Sequence, residues 1–167
     1  PALSDLNNVE QLIDSLQIRR GNPTLKMSTV YNNTLNFDYR KGLFSGSLYL
    51  LYQYQRKPNM EETIRENDLF IRTIANQRSW QKLNPEIEVK VGPFKDILSL
   101  SVTTGINYFD SRGHNYHHTY TNWYYRASIM ASYKNWSSFF EIQNHRNDFY
   151  GETLRYGENY HILGINY

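Results

Sequence analysis

Hydrophobic and polar positions change their period near residue 24. Before it, Leu6, Val9, Leu12, Ile13 and Leu16 recur at helical spacing, and Asn7 followed by Glu10 resembles a capping box with an amide in place of the hydroxyl. This spacing predicts a short helix near Asn8 to Leu16, then a turn at Gly21-Asn22-Pro23. From Thr24 the period is two. Leu25, Met27, Tyr31, Leu35, Phe37 and Tyr39 share one face, and Lys26, Ser28, Asn32, Thr34, Asn36, Asp38 and Arg40 the other. That run is far longer than the ordinary globular strand of about five or six residues. Lys41-Gly42 then makes a tight turn into a second run. In it Phe44, Leu48, Leu50, Tyr52 and Tyr54 alternate with Ser45, Ser47, Tyr49, Gln53 and Gln55, which gives a long hairpin.

The pattern repeats along the chain. A polar stretch around Pro58 to Asn67 leads to a third strand closing with Ile87, Val89 and Val91, in which Pro85 marks an edge, bulge or break. Gly92 to Asp96 forms a compact turn. A fourth strand carries Leu98, Leu100, Val102, Ile106 and Tyr108. After a polar loop from Ser111 to Thr119, a fifth carries Trp123, Tyr125, Ala127, Ile129, Ala131 and Tyr133. Lys134-Asn135-Trp136 turns the chain into a sixth strand with Phe140 and Ile142, and the last bears Leu163, Ile165 and Tyr167. Short connections near 41, 94 and 135 alternate with longer polar ones near 62, 115 and 154. Short turns at one end and long loops at the other are the up-and-down layout of outer-membrane barrels. The expected fold is therefore all-β: an up-and-down antiparallel meander of about seven long strands (residues 24–167), preceded by a short helix and loop (residues 1–23). The alternative is a soluble or surface-exposed antiparallel β-domain that binds glycan or protein.

Composition favours the membrane. Of 167 residues 16% are aromatic, 15 of them Tyr, while the mean hydropathy is −0.70. Amphipathic rings among Asn, Ser and Thr suit strands whose faces meet different solvents. Lys+Arg of 18 against Asp+Glu of 16 is too balanced for a nucleic-acid partner. With no Cys, a disulfide framework and Cys-ligated zinc are excluded. Pro1-Ala2-Leu3-Ser4 has neither a basic nor an apolar region, so no signal peptide is expected in these residues, and no window approaches 18 continuous apolar residues, a test that a barrel passes unseen.

Pro1-Ala2-Leu3-Ser4-Asp5-Leu6, then Val9-Glu10-Gln11, then Gly21-Asn22-Pro23-Thr24-Leu25-Lys26 resembles a stretch of TonB-dependent receptor barrels, in which such an element opens a long descending strand. The resemblance implies energised uptake of a ligand too large or scarce for porins. The chain would supply barrel wall and extracellular loops in the cell outer membrane, in contact with its lipid. Plug and TonB-contacting segment are not found in it, and receptor barrels have many more strands. The chain is accordingly expected to be a fragment, whose partners are the remainder of the parent barrel and plug, the transported ligand, and other copies through open sheet edges.

Candidate chemistry is sparse. His114, His117 and His118 lie near Asp110, but adjacent His117 and His118 point to opposite sides of an extended chain, so no metal site is assigned. Glu61, Glu62, Glu66 and Asp68 read as a solvated acidic loop, and Glu86 and Glu88 as polar-face residues with basic partners. Tyr116, Tyr120 and Trp123 are the rings that a glycan-binding alternative would use. Phosphate loops, nucleophile elbows and HExxH are absent, so no catalytic, cofactor or metal residue is assigned and no enzyme activity is expected.

Overall fold

A computed structural model describes residues 3–167. Its main sheet has seven strands: β3 (Thr29–Lys41), β4 (Phe44–Arg56), β7 (Ser79–Phe94), β8 (Leu98–Arg112), β9 (His117–Tyr133), β10 (Trp136–Gln143) and β13 (Tyr160–Asn166). They lie in the order β13-β10-β9-β8-β7-β4-β3, and every neighbouring pair is antiparallel. The meander read from the alternation is thus the observed fold. β3 and β13 are its edges and do not pair with each other.

The three connections at one end are minimal. Gly42 (φ 58°) and Leu43 join β3 to β4, and Lys134 (φ 53°) and Asn135 join β9 to β10. Lys95 and Asp96 (φ 50° and 58°) begin the turn between β7 and β8, behind a bulge between Val91 and Phe94 that ends the regular register. Pro85 sits in the middle of β7, a central strand, so the ladder to β8 is interrupted between the Leu83–Tyr108 and Glu86–Gly105 pairs. There Asn84 Nδ2 donates to the Ile106 carbonyl at 3.0 Å, so a side chain serves the carbonyl where proline has no N–H.

At the opposite end the chain departs from the sequence reading. The helix predicted near Asn8 to Leu16 is not present. A single helical turn, α1 (Leu3–Leu6), precedes β1 (Gln11–Leu12) and β2 (Gln17–Arg19), which form a small hairpin. Asp14 turns that hairpin by accepting the Leu16 N–H at 2.8 Å, and Leu12 and Leu16 are exposed. Apolar spacing alone did not make a helix, because no apolar surface lies alongside for it to bury. Pro1 and Ala2, which open the motif, lie outside the described residues.

The polar stretch at 58–67 is also extended. β5 (Asn59–Glu66) and β6 (Leu69–Asn76) form a hairpin, and β2 adds to it in parallel, giving a second sheet of order β1-β2-β6-β5. The expected loop from Ser111 to Thr119 shrinks to Gly113–Tyr116, since β8 and β9 run further than their apolar residues. The third connection holds a hairpin of β11 (Asp148–Tyr150) and β12 (Thr153–Arg155), turned at Gly151 (φ 66°). No described helix is long and apolar enough to cross a membrane.

Candidate functional site: a two-faced sheet with a strapped loop end

Register carries one side-chain face across all seven strands. Phe37 pairs with Leu48, Leu48 with Ile87, Val89 with Val102, Leu100 with Ile129, Ile129 with Phe140 and Phe140 with Leu163. These side chains form a continuous apolar band, and all but the half-buried Val89 are exposed: Phe37 is 62% and Leu163 69% accessible. Aromatic rings border the band at both ends. Towards the short turns stand Tyr39 with Phe44 (6.3 Å between centroids) and Trp136 with Tyr167 (4.5 Å). Towards the loops stand Tyr31 with Tyr54 (6.1 Å) and Trp123 with Tyr125 (5.2 Å). Their polar tips bond across strands: Tyr52 OH donates to Gln81 Oε1 at 2.9 Å, and Trp123 Nε1 to Thr104 Oγ1 at 2.9 Å. From Tyr31 to Tyr39 is roughly 27 Å of extended chain, which a tilt of about 40° reduces to some 20 Å of height, most of the roughly 25 Å apolar band of membrane barrels.

The other face carries Asn36, Asp38, Ser47, Gln53, Glu86, Glu88, Thr103, Arg126 and Ser128 at alternate positions. At its loop end it is covered. Residues 144–159 cross it as a strap, held by both apolar and polar contacts. Phe149 is buried with Met60, Trp80 and Phe109, and Tyr120, Tyr150 and Leu154 pack on that cluster. Trp80 Nε1 donates to the Phe149 carbonyl at 2.9 Å. Asn147 spans the strap: its N–H donates to Asn122 Oδ1 (3.0 Å), its Nδ2 to Tyr120 OH (2.6 Å), and its Oδ1 accepts the Gly157 N–H (3.0 Å). The Arg146 guanidinium lies 4.4 Å over the Tyr124 ring, donates to Asn84 Oδ1 at 3.2 Å and stands 3.5 Å from Glu86. Tyr124 OH in turn donates to Glu86 Oε2 at 2.6 Å and accepts from Asn84 Nδ2 at 2.8 Å. Tyr124 reaches this position only because Gly105 stands directly across the ladder, where a Cβ would come within 2.6 Å of its ring.

A belt of apolar side chains facing outward between two aromatic girdles, with a polar opposite face, is the surface of a membrane barrel wall. Compared with known families, residues 1–153 match the model of the Outer membrane protein beta-barrel family. The chain belongs to this family. No curated protein and no solved structure matches it. The barrel chain therefore resides in the outer membrane, with its apolar belt against lipid and its polar face towards the barrel interior. In such barrels the short turns are periplasmic and the longer loops extracellular, which puts the strapped end outside the cell.

The residues singled out in the sequence scatter in the barrel chain. His117 Nε2 lies 3.1 Å from Asp110, His118 stacks on Tyr116 and lies 3.5 Å from Glu152, and His114 Nε2 donates to the Asn76 carbonyl at 2.9 Å. Among the described residues no group of three His, Asp or Glu is arranged to hold a metal. The acidic residues have partners: Glu61 with Arg72 (3.0 Å), Glu66 with Arg20 (3.5 Å), Asp68 with Arg65 (3.7 Å), and Glu62 with Gln77 (3.3 Å). Glu88 pairs with Lys90 at 3.0 Å, while Glu86 faces Arg146. Tyr116, Tyr120 and Trp123 do not share a surface: Tyr120 packs in the cluster and Trp123 belongs to the girdle. Asn84, Asn122 and Tyr124 carried no signal in the sequence beyond their polar-face parity, and Arg146 and Asn147, which lie between strands, carried none at all.

Proposed function

We propose that this chain forms barrel wall and extracellular cap of a TonB-dependent receptor, which imports a ligand too large or too scarce for passive diffusion. The observation that carries the reading is the strap: residues 144–159 are packed down on the interior face through an apolar cluster and the Asn147 and Arg146 networks. A passive porin keeps a water-filled channel, whereas a loop bound this firmly obstructs one. The stretch from Pro1 to Lys26, with its likeness to receptor barrels, points the same way. On this reading the edges β3 and β13 pair with further strands of the barrel, a plug lies inside, and outer-membrane lipid covers the belt. The chain takes no part in catalysis.

The test uses the full-length protein extracted from outer membranes. Reconstituted into planar bilayers in KCl, it is expected to hold no steady conductance, and in solution to capture the periplasmic C-terminal domain of TonB. Steady ohmic conductance without capture of TonB would identify a porin and overturn the proposal.

A further inference from the structure

Among the described residues, eight of the eighteen lysines and arginines are ion-paired: Arg19, Arg20, Arg65, Arg72, Lys82, Lys90, Arg112 and Arg146. Four that are not (Lys26, Arg56, Lys57 and Arg78) line one pocket of about 620 Å³ together with His114 and Tyr54. No carboxylate lines it, and none of the four makes an ion pair or a side-chain hydrogen bond among the described residues. Like charges brought together without a counter-charge repel, and such a cluster is stabilised by an anion.

The frame beneath these cations is fixed. Asn76 Nδ2 donates to the carbonyls of Lys26 (2.9 Å) and Lys57 (3.2 Å), and its Oδ1 accepts the Lys26 N–H at 2.7 Å. The Lys57 N–H donates to the Arg78 carbonyl at 3.3 Å. The Asn76 carbonyl accepts from His114 Nε2, and the His114 N–H donates to Gln77 Oε1, each at 2.9 Å. Four separate stretches of chain are thus tied at Asn76 with their charged ends left free. The Gly21 to Lys26 motif supplies one wall. Its fold is set by Asn22, whose Oδ1 accepts the Thr24 N–H at 3.0 Å and whose Nδ2 donates to the Ile74 carbonyl at 3.1 Å.

Position decides which anion. Arg56 shares the apolar-face parity of β4 and stands two residues beyond Tyr54, which stacks with Tyr31 in the loop-side girdle. The pocket therefore opens where the lipid head groups of the outer leaflet lie, immediately above the belt of Leu35, Leu48 and Leu50. We infer that this pocket holds the phosphate of a phosphorylated glycolipid of the outer leaflet, with its acyl chains along the β3–β4 face. Two guanidinium groups bind a phosphate through paired N–H donors, and the lysines add charge around it. The site is independent of the transport reading; it rests on the outer-membrane location alone.

The test measures binding of detergent-solubilised full-length protein to lipid A, its dephosphorylated form and inorganic phosphate. Wild type is expected to bind lipid A and to lose most of that affinity when the phosphates are removed. R56Q/R78Q should weaken lipid A binding roughly 25-fold, about fivefold for each cation removed. R40Q/K41Q, which neutralises two cations at the periplasmic turn that likewise make no ion pair among the described residues, should leave it unchanged. R56K/R78K should restore part of it, which separates lost charge from a misfolded loop. Equal binding of the dephosphorylated lipid, or no effect of R56Q/R78Q, would overturn the inference. Inorganic phosphate binding as tightly as lipid A would overturn the lipid assignment in favour of a soluble anion.

Discussion

Asn107 lies on the interior face of β8, 1% exposed, and neither atom of its side-chain amide has a partner among the described residues. Its neighbours Asn84, Asn122 and Asn147 are all bonded. An uncompensated buried amide costs about 1–3 kcal/mol, whereas an apolar side chain of similar size costs nothing of the kind. Asn107→Leu is therefore expected to raise stability by about 1 kcal/mol, read as an increased urea midpoint of the folded chain in lipid vesicles. A lowered midpoint would mean that the amide is solvated or bound in a way that the leucine destroys. Both have interior parity, and what separates them is local: Pro85 beside Asn84 leaves the Ile106 carbonyl for the Asn84 amide to serve, whereas no such vacancy stands beside Asn107.

Elements divide by how local their causes are. The seven long strands were legible because alternation and turn chemistry are local: Gly42, Lys134 and the Lys95–Asp96 pair adopt the left-handed backbone that the short turns require. β5 and β6 were not, since Glu61, Glu62, Arg65 and Glu66 give them the composition of a solvated loop, and their pairing rests on ion pairs such as Glu61–Arg72. β1 and the turn that follows it were read as helix because Leu12, Ile13 and Leu16 satisfy the helical period by chance. Two phenols in the loop-end elements carry a consequence of their own. Burial raises the pKa of Tyr150, against the opposing effect of its bond to Gln55, and burial likewise raises that of Tyr116. A phenol whose folded pKa exceeds its unfolded value of about 10 stabilises the fold fully below that pH and ceases to do so as pH rises through the folded value. The cap should thus hold unchanged from neutral pH to about pH 10 and loosen above it. Absorbance at 295 nm should show some tyrosines ionising later than the bulk, together with strap cleavage by added protease at those higher pH values only. A single titration near the ordinary value for every tyrosine would contradict this.

For the molecule as a whole, the edges dominate. β3 and β13 each present an unsatisfied row of N–H and C=O groups, and inside lipid no water is available to satisfy them. The isolated 167-residue chain, refolded in detergent, is expected to associate. Light scattering should give a protein mass of at least two copies, and proline at an interior position of β3, such as Leu35→Pro, should reduce it. A monodisperse single copy would require an edge-to-edge closure that the strand order does not contain. The two faces and the outer-membrane location were legible in alternation and aromatic content, while membership of the family rests on the match over residues 1–153. The strap did not, because packing between residues as far apart as Met60 and Phe149 leaves no mark on either neighbourhood.

The placing of Met60, Trp80, Phe109 and Phe149 has a further consequence for tolerance to substitution. In a water-soluble protein the largest apolar side chains are the ones that cannot be trimmed. Along this belt lipid tails flow into whatever room a shortened Leu48 or Ile87 leaves, so no void remains. A truncation at Met60 or Phe109 has no such filler and leaves a hole that its neighbours must collapse to close. Evolution is thus free to rewrite the most hydrophobic part of the chain, provided it stays greasy, and is held to particular shapes only near the water outside the cell.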